Sequence, residues 1–241
     1  MTKFKKIIPA LCMLLISAVL MGTSTYAWFS MNTTVSAGGM KVTANSNNLF
    51  LQISASTTFT DPATSVDFAD ENATALKPAT PILAAANASI QKWQTATSDN
   101  PANATSGATQ TDVESANLSQ YVYSKTLYFK IAAGSTATAS DLVITGVTMT
   151  GGTTSGANLN KSLRVAVVGE GGGVQVWTNT TGTWAKDTAK SADTILDSVT
   201  TEATQATLYI WFEGTDAACI TNNVVGLSDL EFTVTFGVTA A

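Results

Sequence analysis

The 241-residue chain contains no histidine. That absence removes Ser-His-Asp and Cys-His catalytic arrangements and the His-x-x-x-His zinc helix. It also removes the commonest general base near neutral pH. Arginine occurs once, at Arg164, and the formal net charge is −5. An acidic chain of this kind has no electrostatic footprint for nucleic acid. Charged residues make up only 12% of the total, so Ser, Thr, Asn, Gly and Ala must cover much of the surface. This balance suits an exported, β-rich, wall-associated or fibrous protein better than a cytosolic enzyme. Cysteine occurs twice, at Cys12 and Cys219.

Cys12 lies inside an apolar run that reads as an export signal. Lys3, Lys5 and Lys6 form a basic start, and "IIPALCMLLISAVLMG" (Ile7 to Gly22) follows. "TSTYA" then places small residues at −3 and −1, Thr25 and Ala27, for a cut after Ala27. Cleavage removes three lysines and no acid, which takes the formal charge from −5 to −8. A chain so charged has no electrostatic attraction to an anionic membrane, so the expectation is a secreted protein with no membrane contact after cleavage. Cys219 is then the one remaining thiol. No intrachain disulfide is possible, and burial as a small apolar side chain is its ordinary fate.

Beyond the cut, period-two alternation dominates. "KTLYFKIAA" sets Leu127, Phe129 and Ile131 against Thr126, Tyr128 and Lys130. "DLEFTVTFGVTA" sets Leu230, Phe232, Val234, Phe236 and Val238 against Glu231, Thr233, Thr235 and Gly237. "NLFLQISA", "DLVITGVTMT", "SLRVAVVG", "VQVWTN" and "ATLYIWFEG" extend the series. Such runs make half-buried strands. "GGTTSGAN", "GEGGG" and "TNTTGT" punctuate them as turns. "GEGGG" has no Lys-Ser/Thr after it, so a turn is preferred to a phosphate loop. Two stretches carry helix-like spacing, Thr80 to Gln94 and Lys186 to Val199. The polar stretch Thr95 to Asp112 reads as an exposed insertion.

The expected fold is therefore all-β, a jelly-roll-like β-sandwich with one or two short helices in insertions. Residues 1–27 form the signal peptide, and 28–39 an N-terminal strand with a glycine joint. Residues 40–241 form one sandwich domain interrupted around 95–112.

Chemistry is sparsely signalled. Glu213, Asp216 and Asn222 offer oxygens to a hard cation such as Ca²⁺, but their spacing matches no EF-hand-like loop. A strand ending in a capped turn is the preferred reading, with no metal and no cofactor. No pair of acids is singled out for glycosidase chemistry, and an enzyme is not expected.

The stretch after the cut is more informative. Extended, Phe29, Met31, Thr33 and Val35 share one face, and Trp28, Ser30, Asn32 and Thr34 the other. Ala37-Gly38-Gly39 then supplies a flexible joint. A terminal strand of this kind can pair within its own sheet, or complete a neighbour's sheet by β-augmentation. The second contact is head-to-tail and builds a filament.

"GTSTYAWFSMNTTVSAGGMKVTA" (Gly22 to Ala44) resembles the N-terminus of TasA/camelysin-type proteins of Gram-positive bacteria. "TYAWFS" matches their processing zone, and "SAGGMKVTA" their glycine turn and first strand. The resemblance implies cleavage by a dedicated signal peptidase and a jelly roll. It further implies a secreted subunit of biofilm-matrix fibres, with Trp28 to Ser36 as donor strand for the next subunit. Trp28, Phe29, Met31 and Val35 would fill the neighbour's groove. Metalloprotease activity, also ascribed to camelysins, is not carried over, because a chain without histidine has no zinc helix. The expected partner is the chain itself, with minor fibre or anchoring proteins beside it. The alternative is a monomeric secreted or surface binding module or adhesin, with Trp177, Trp184 and Trp211 as stacking faces for sugars.

Overall fold

Alternating apolar residues become strands in the computed structural model of the chain. The structure describes residues 41–46, 51–59, 65–68, 76–85, 88–95, 110–132, 139–150, 159–179, 183–216, 219 and 231–240. All of them belong to one compact unit, Ser36–Ala241. In chain order the strands are β1 (Lys41–Ser46), β2 (Leu51–Ser54), β3 (Ser65–Phe68), β4 (Ala79–Leu83), β5 (Ile90–Thr95), β6 (Val122–Ile131) and β7 (Ala139–Thr150). They continue with β8 (Leu163–Gly169), β9 (Val174–Asn179), β10 (Trp184–Lys186), β11 (Leu196–Val199), β12 (Thr204–Phe212) and β13 (Glu231–Ala240). The fold is an all-β sandwich. Its described helices are a 3₁₀ turn over Ser115–Gln120 and one α-turn, α1, over Leu159–Ser162. Neither is long or apolar enough to cross a membrane.

One sheet has the order β11-β7-β13-β1-β3, the other β10-β9-β8-β12-β6-β2. β1 runs parallel to β13, with Val42 opposite Phe232 and Ala44 opposite Val234. The other pairings among the described strands are antiparallel. The inner faces interdigitate as alternation requires. Val42, Ala44, Leu142, Ile144, Phe232, Val234 and Phe236 meet Leu51, Ile53, Leu127, Phe129, Val165, Val167, Leu208 and Ile210 in one core. The Phe129 and Phe236 rings join the two sheets edge-to-face, 5.0 Å between centroids.

The six-stranded sheet is apolar on its outer face as well. There Ala166, Val174, Val176, Val122 and Trp211 form a second cluster with Ala79 of β4 and Trp93 of β5. The β4–β5 hairpin is thus a third layer, which explains why β8, expected to alternate, is instead buried on both faces, Arg164 included.

This hairpin corrects the helix expected over Thr80 to Gln94. Pro81 cannot donate a helical hydrogen bond, and it sits opposite Trp93 in the ladder. Ala84 N donates to Ser89 O at 2.9 Å, which closes the turn. The segment Lys186 to Val199 is not helical either. It turns at Asp187, where Lys190 N donates to Asp187 O, and ends in β11. Its apolar residues Ile195, Leu196 and Val199 are buried in the sandwich core, so burial set by tertiary contacts outweighs helical spacing. Of the expected insertion, residues 96–109 lie outside the described residues. Thr111 and Asp112 return to β5, with Thr95 N donating to Thr111 O.

Candidate functional site

β12 leaves the core at Phe212, and the residues that follow meet β4 and the start of β8. Glu213 N donates to Ser162 O at 2.8 Å, and Gly214 N to Ala79 O at 2.9 Å. The backbone therefore carries the Glu213 carboxylate under the hairpin, where the residue is 3% exposed. Its Oε1 accepts from Thr80 Oγ1 at 2.7 Å and from Thr215 Oγ1 at 2.9 Å. Its Oε2 accepts from Trp211 Nε1 at 3.4 Å, and Lys190 Nζ lies 3.9 Å away. A buried carboxylate persists only when so satisfied.

The second acid has a different partner. Asp216 Oδ2 accepts from the Arg164 guanidinium, which also donates to Lys161 O and Leu163 O. Arg164 stands on the outer face of β8 and is 8% exposed. Burial beside these groups pushes the Cys219 thiol up to about 11, aided by the negative charges of Asp216 and Glu213. The Ser162 hydrogen bond and the Arg164 charge act the other way. A thiol held protonated in this manner is a poor nucleophile.

The Glu213 and Asp216 foreseen as weak cation ligands are thus brought near one another, yet each is turned to protein donors. Among the described residues no three of His, Cys, Asp and Glu gather as a metal site. Asn222, the third weak candidate, lies outside the described residues. So do Thr25 and Ala27 of the expected cut, and Trp28, Phe29, Met31 and Val35 of the expected donor strand. The arrangement ties β4, β8 and the end of β12 together. Arg164, Thr80 and Lys190 were not singled out from sequence. A lone arginine inside the apolar run "SLRVAVVG" was the available signal, because such a charge needs a buried partner.

The tryptophans divide. Trp211 is wholly buried beneath Trp93, with ring centroids 5.2 Å apart, so it offers no sugar-stacking face. Trp177 and Trp184 are half-buried against the core, Trp184 edge-on to Phe232 at 5.9 Å. The Trp177 Nε1 is buried with no hydrogen-bond partner among the described residues. Comparison of the chain with protein-family models, with curated proteins and with solved structures returns no match.

Proposed function

We propose that this protein is an exported structural subunit that polymerises head-to-tail, each chain lending its N-terminal strand to a neighbour's sheet. The fibre would be extracellular, of the biofilm-matrix kind that the N-terminal resemblance implies, and the principal partner is another copy of the chain. One observation carries the reading. The compact sandwich unit begins at Ser36, while Met1–Val35 forms a unit of its own. That boundary falls where the alternating segment Trp28 to Val35 ends. Among the described residues, the first that the sandwich buries are Val42 and Ala44 of β1, beyond the glycine joint in sequence. An alternating apolar segment joined to a domain by a glycine joint is suited to β-augmentation, and a non-closing contact of that type propagates. The reading requires neither catalysis nor a cofactor. It accords with two acids, Glu213 and Asp216, that are engaged in holding the fold.

Negative-stain electron microscopy of the mature chain, Trp28 to Ala241, tests it beside the Met31→Asp, Val35→Asp double variant. Filaments from the first and folded monomers from the second are expected. Filaments of normal yield from the double variant, or monomers from both, would sink it. Monomers from both that bind sugars through the half-buried Trp177 and Trp184 would favour the binding-module alternative.

A further inference from the structure

Exposed strand edges invite pairing with other chains, and folded proteins blunt them. This sandwich blunts several of its own. On β9, Val174 O accepts from Ala192 N, and Val176 O from Asp187 N and Ser191 Oγ. Val176 N in turn donates to Ser191 Oγ. On β7, β11 covers Ala139 to Leu142, and Ile144 N donates to the side chain of Gln175. Gly146–Thr150 of β7 pairs with β13 on one side, Gly146 opposite Thr235 through Thr150 opposite Glu231. On the other side no strand among the described residues joins it.

The mouth of the sandwich beside this edge is apolar. Val147 is buried, and Met149 is half-buried against the core. Met149 lies opposite Phe232, whose ring meets Trp184 of the facing sheet. Trp177 stands on the same inner face as Trp184, with its buried indole N–H unpartnered among the described residues. A buried donor in that state costs free energy that an incoming backbone carbonyl recovers.

We propose that Gly146–Thr150 of β7 is the acceptor edge for residues Trp28 to Val35 of a second copy. The inference rests on the polymerisation reading above and assigns the surface that it needs. Two features of the chain select that occupant. The segment's eight residues, at about 3.3 Å per residue in extended form, more than span a five-residue edge. Its period-two pattern also presents Phe29, Met31 and Val35 on one face, which would cover Met149 and Trp184, while Ser30, Asn32 and Thr34 face away from the core and Trp28 stands at the segment's start. The described edge strands β2, β3, β10 and β11 have four residues or fewer and offer shorter ladders. In the outer hairpin, β5 is met at Trp93 and Thr95 by Val113 and Thr111, and β4 at Ala79 by Gly214. Val122–Leu127 of β6, beyond its pairing with β2, is the other long open stretch among the described residues, and the measurement below separates it from β7.

Hydrogen–deuterium exchange locates the acceptor without touching β7. The mature chain assembled as filaments is compared with the Met31→Asp, Val35→Asp chain. Amides of Gly146–Thr150 that face away from β13 should exchange on the order of tenfold slower, or more, in the filament. Edges at β3 and β2 should be unchanged. Filaments whose new protection falls on another edge would overturn this assignment and leave polymerisation standing. No filaments from the mature chain, or equal filaments from both chains, would overturn the two readings together.

Discussion

Gln175 reaches across the sandwich to Ile144. Its Oε1 accepts from the Ile144 backbone N–H at 2.9 Å, and its Nε2 donates to Asp193 O at 2.6 Å. A side chain of β9 in one sheet thereby satisfies the edge of β7 in the other, in a setting where Gln175 is 1% exposed. Truncation to alanine would strand the Ile144 donor and the Asp193 acceptor together. A buried group left unsatisfied costs about 1–3 kcal/mol, and the lost volume adds a cavity term. Gln175→Ala should therefore lower the urea midpoint by an amount in or above that range, with an unchanged m-value. Gln175→Glu keeps the acceptor for Ile144 and loses the donor to Asp193, so it should also destabilise. Wild-type stability in both variants would show the bridge to be idle.

The turn between β8 and β9 makes a steric prediction. A Cβ on Gly169 would lie 2.1 Å from Ile195 O and 2.7 Å from Leu196 Cδ2, while one on Gly171 would meet nothing within 4 Å. Backbone cannot yield as a flexible side chain can. Overpacking of this kind costs about 1–3 kcal/mol or more. Gly169→Ala should therefore fall at the upper end or fail to fold, and Gly171→Ala should stay within about 0.5 kcal/mol of the parent. Thermal melts of the pair decide it, and equal losses would place the strand β11 approach elsewhere.

These contacts mark how far the fold was legible. β6 and β13 announced themselves because one face of each strand is apolar and the other polar, the pattern that a two-layer sandwich imposes. The β4–β5 hairpin did not. Ile82, Leu83, Ala86, Ile90 and Trp93 happen to fall at helical spacing, and nothing local says that the sheet beneath is apolar on both faces. β3, β10 and β11 are too short for a period to register. Around Glu213, the sequence supplied the acids but not their partners, because Thr80 and Arg164 are 133 and 52 residues from the carboxylates they meet. The Gln175 bridge had no signal at all, since a glutamine in a strand reads as a solvent-facing residue until the opposite sheet is in place.

Cys219 links the same region to pH. Its thiol, ordinarily near 9, is raised to about 11, chiefly by burial. The sign follows from the unfolded chain. Between those values the unfolded thiol has lost its proton and the folded one has not. The unfolded state binds fewer protons, so stability falls as pH rises through this window. The whole effect amounts to roughly 2–3 kcal/mol at most. Cys219→Ala should flatten that part of the stability–pH curve relative to the parent. Native Cys219 should also resist iodoacetamide at a mildly alkaline pH and react once the chain is unfolded in urea. Rapid native alkylation would contradict its burial.

Arg164 and Asp216 should lose more when separated than when replaced together. Arg164 is the more buried of the two, with side-chain exposures of 10% and 23%. Removing one member of a buried pair strands the other, at a cost of about 3–5 kcal/mol when burial is complete. Asp216 retains some water, so a loss below that range is expected for Asp216→Asn. Arg164→Met, which leaves only a partly wetted carboxylate behind, should cost less than Asp216→Asn, where the stranded charge is the buried guanidinium. The reverse order in denaturant titrations would mean that the Arg164 bonds to Lys161 O and Leu163 O suffice on their own.

Besides the backbone bond from Gly214 N to Ala79 O, a side-chain hydrogen bond and apolar packing attach the hairpin, and these two can be separated. Thr80 Oγ1 donates to Glu213 Oε1 at 2.7 Å, while Trp93 packs edge-on against Trp211 beside it. Thr80→Val preserves the shape and removes the donor, leaving a buried carboxylate with one partner fewer. Hydrogen bonds to charged groups contribute about 1.5–3 kcal/mol, so a loss of that size is expected, and Thr80→Ser should recover most of it. Glu213→Gln disturbs the same network from the other end, turning an acceptor of the Trp211 N–H into an amide that can clash with it or flip away. Residues in one network do not contribute independently. The Thr80→Val, Glu213→Gln double variant should therefore lose measurably less than the two single losses combined. Urea titrations followed by tryptophan fluorescence report both global stability and the Trp93–Trp211 environment. If the single losses add, the hydroxyl and the carboxylate act separately, and the apolar contacts of Ala79 and Trp93 hold the hairpin without them.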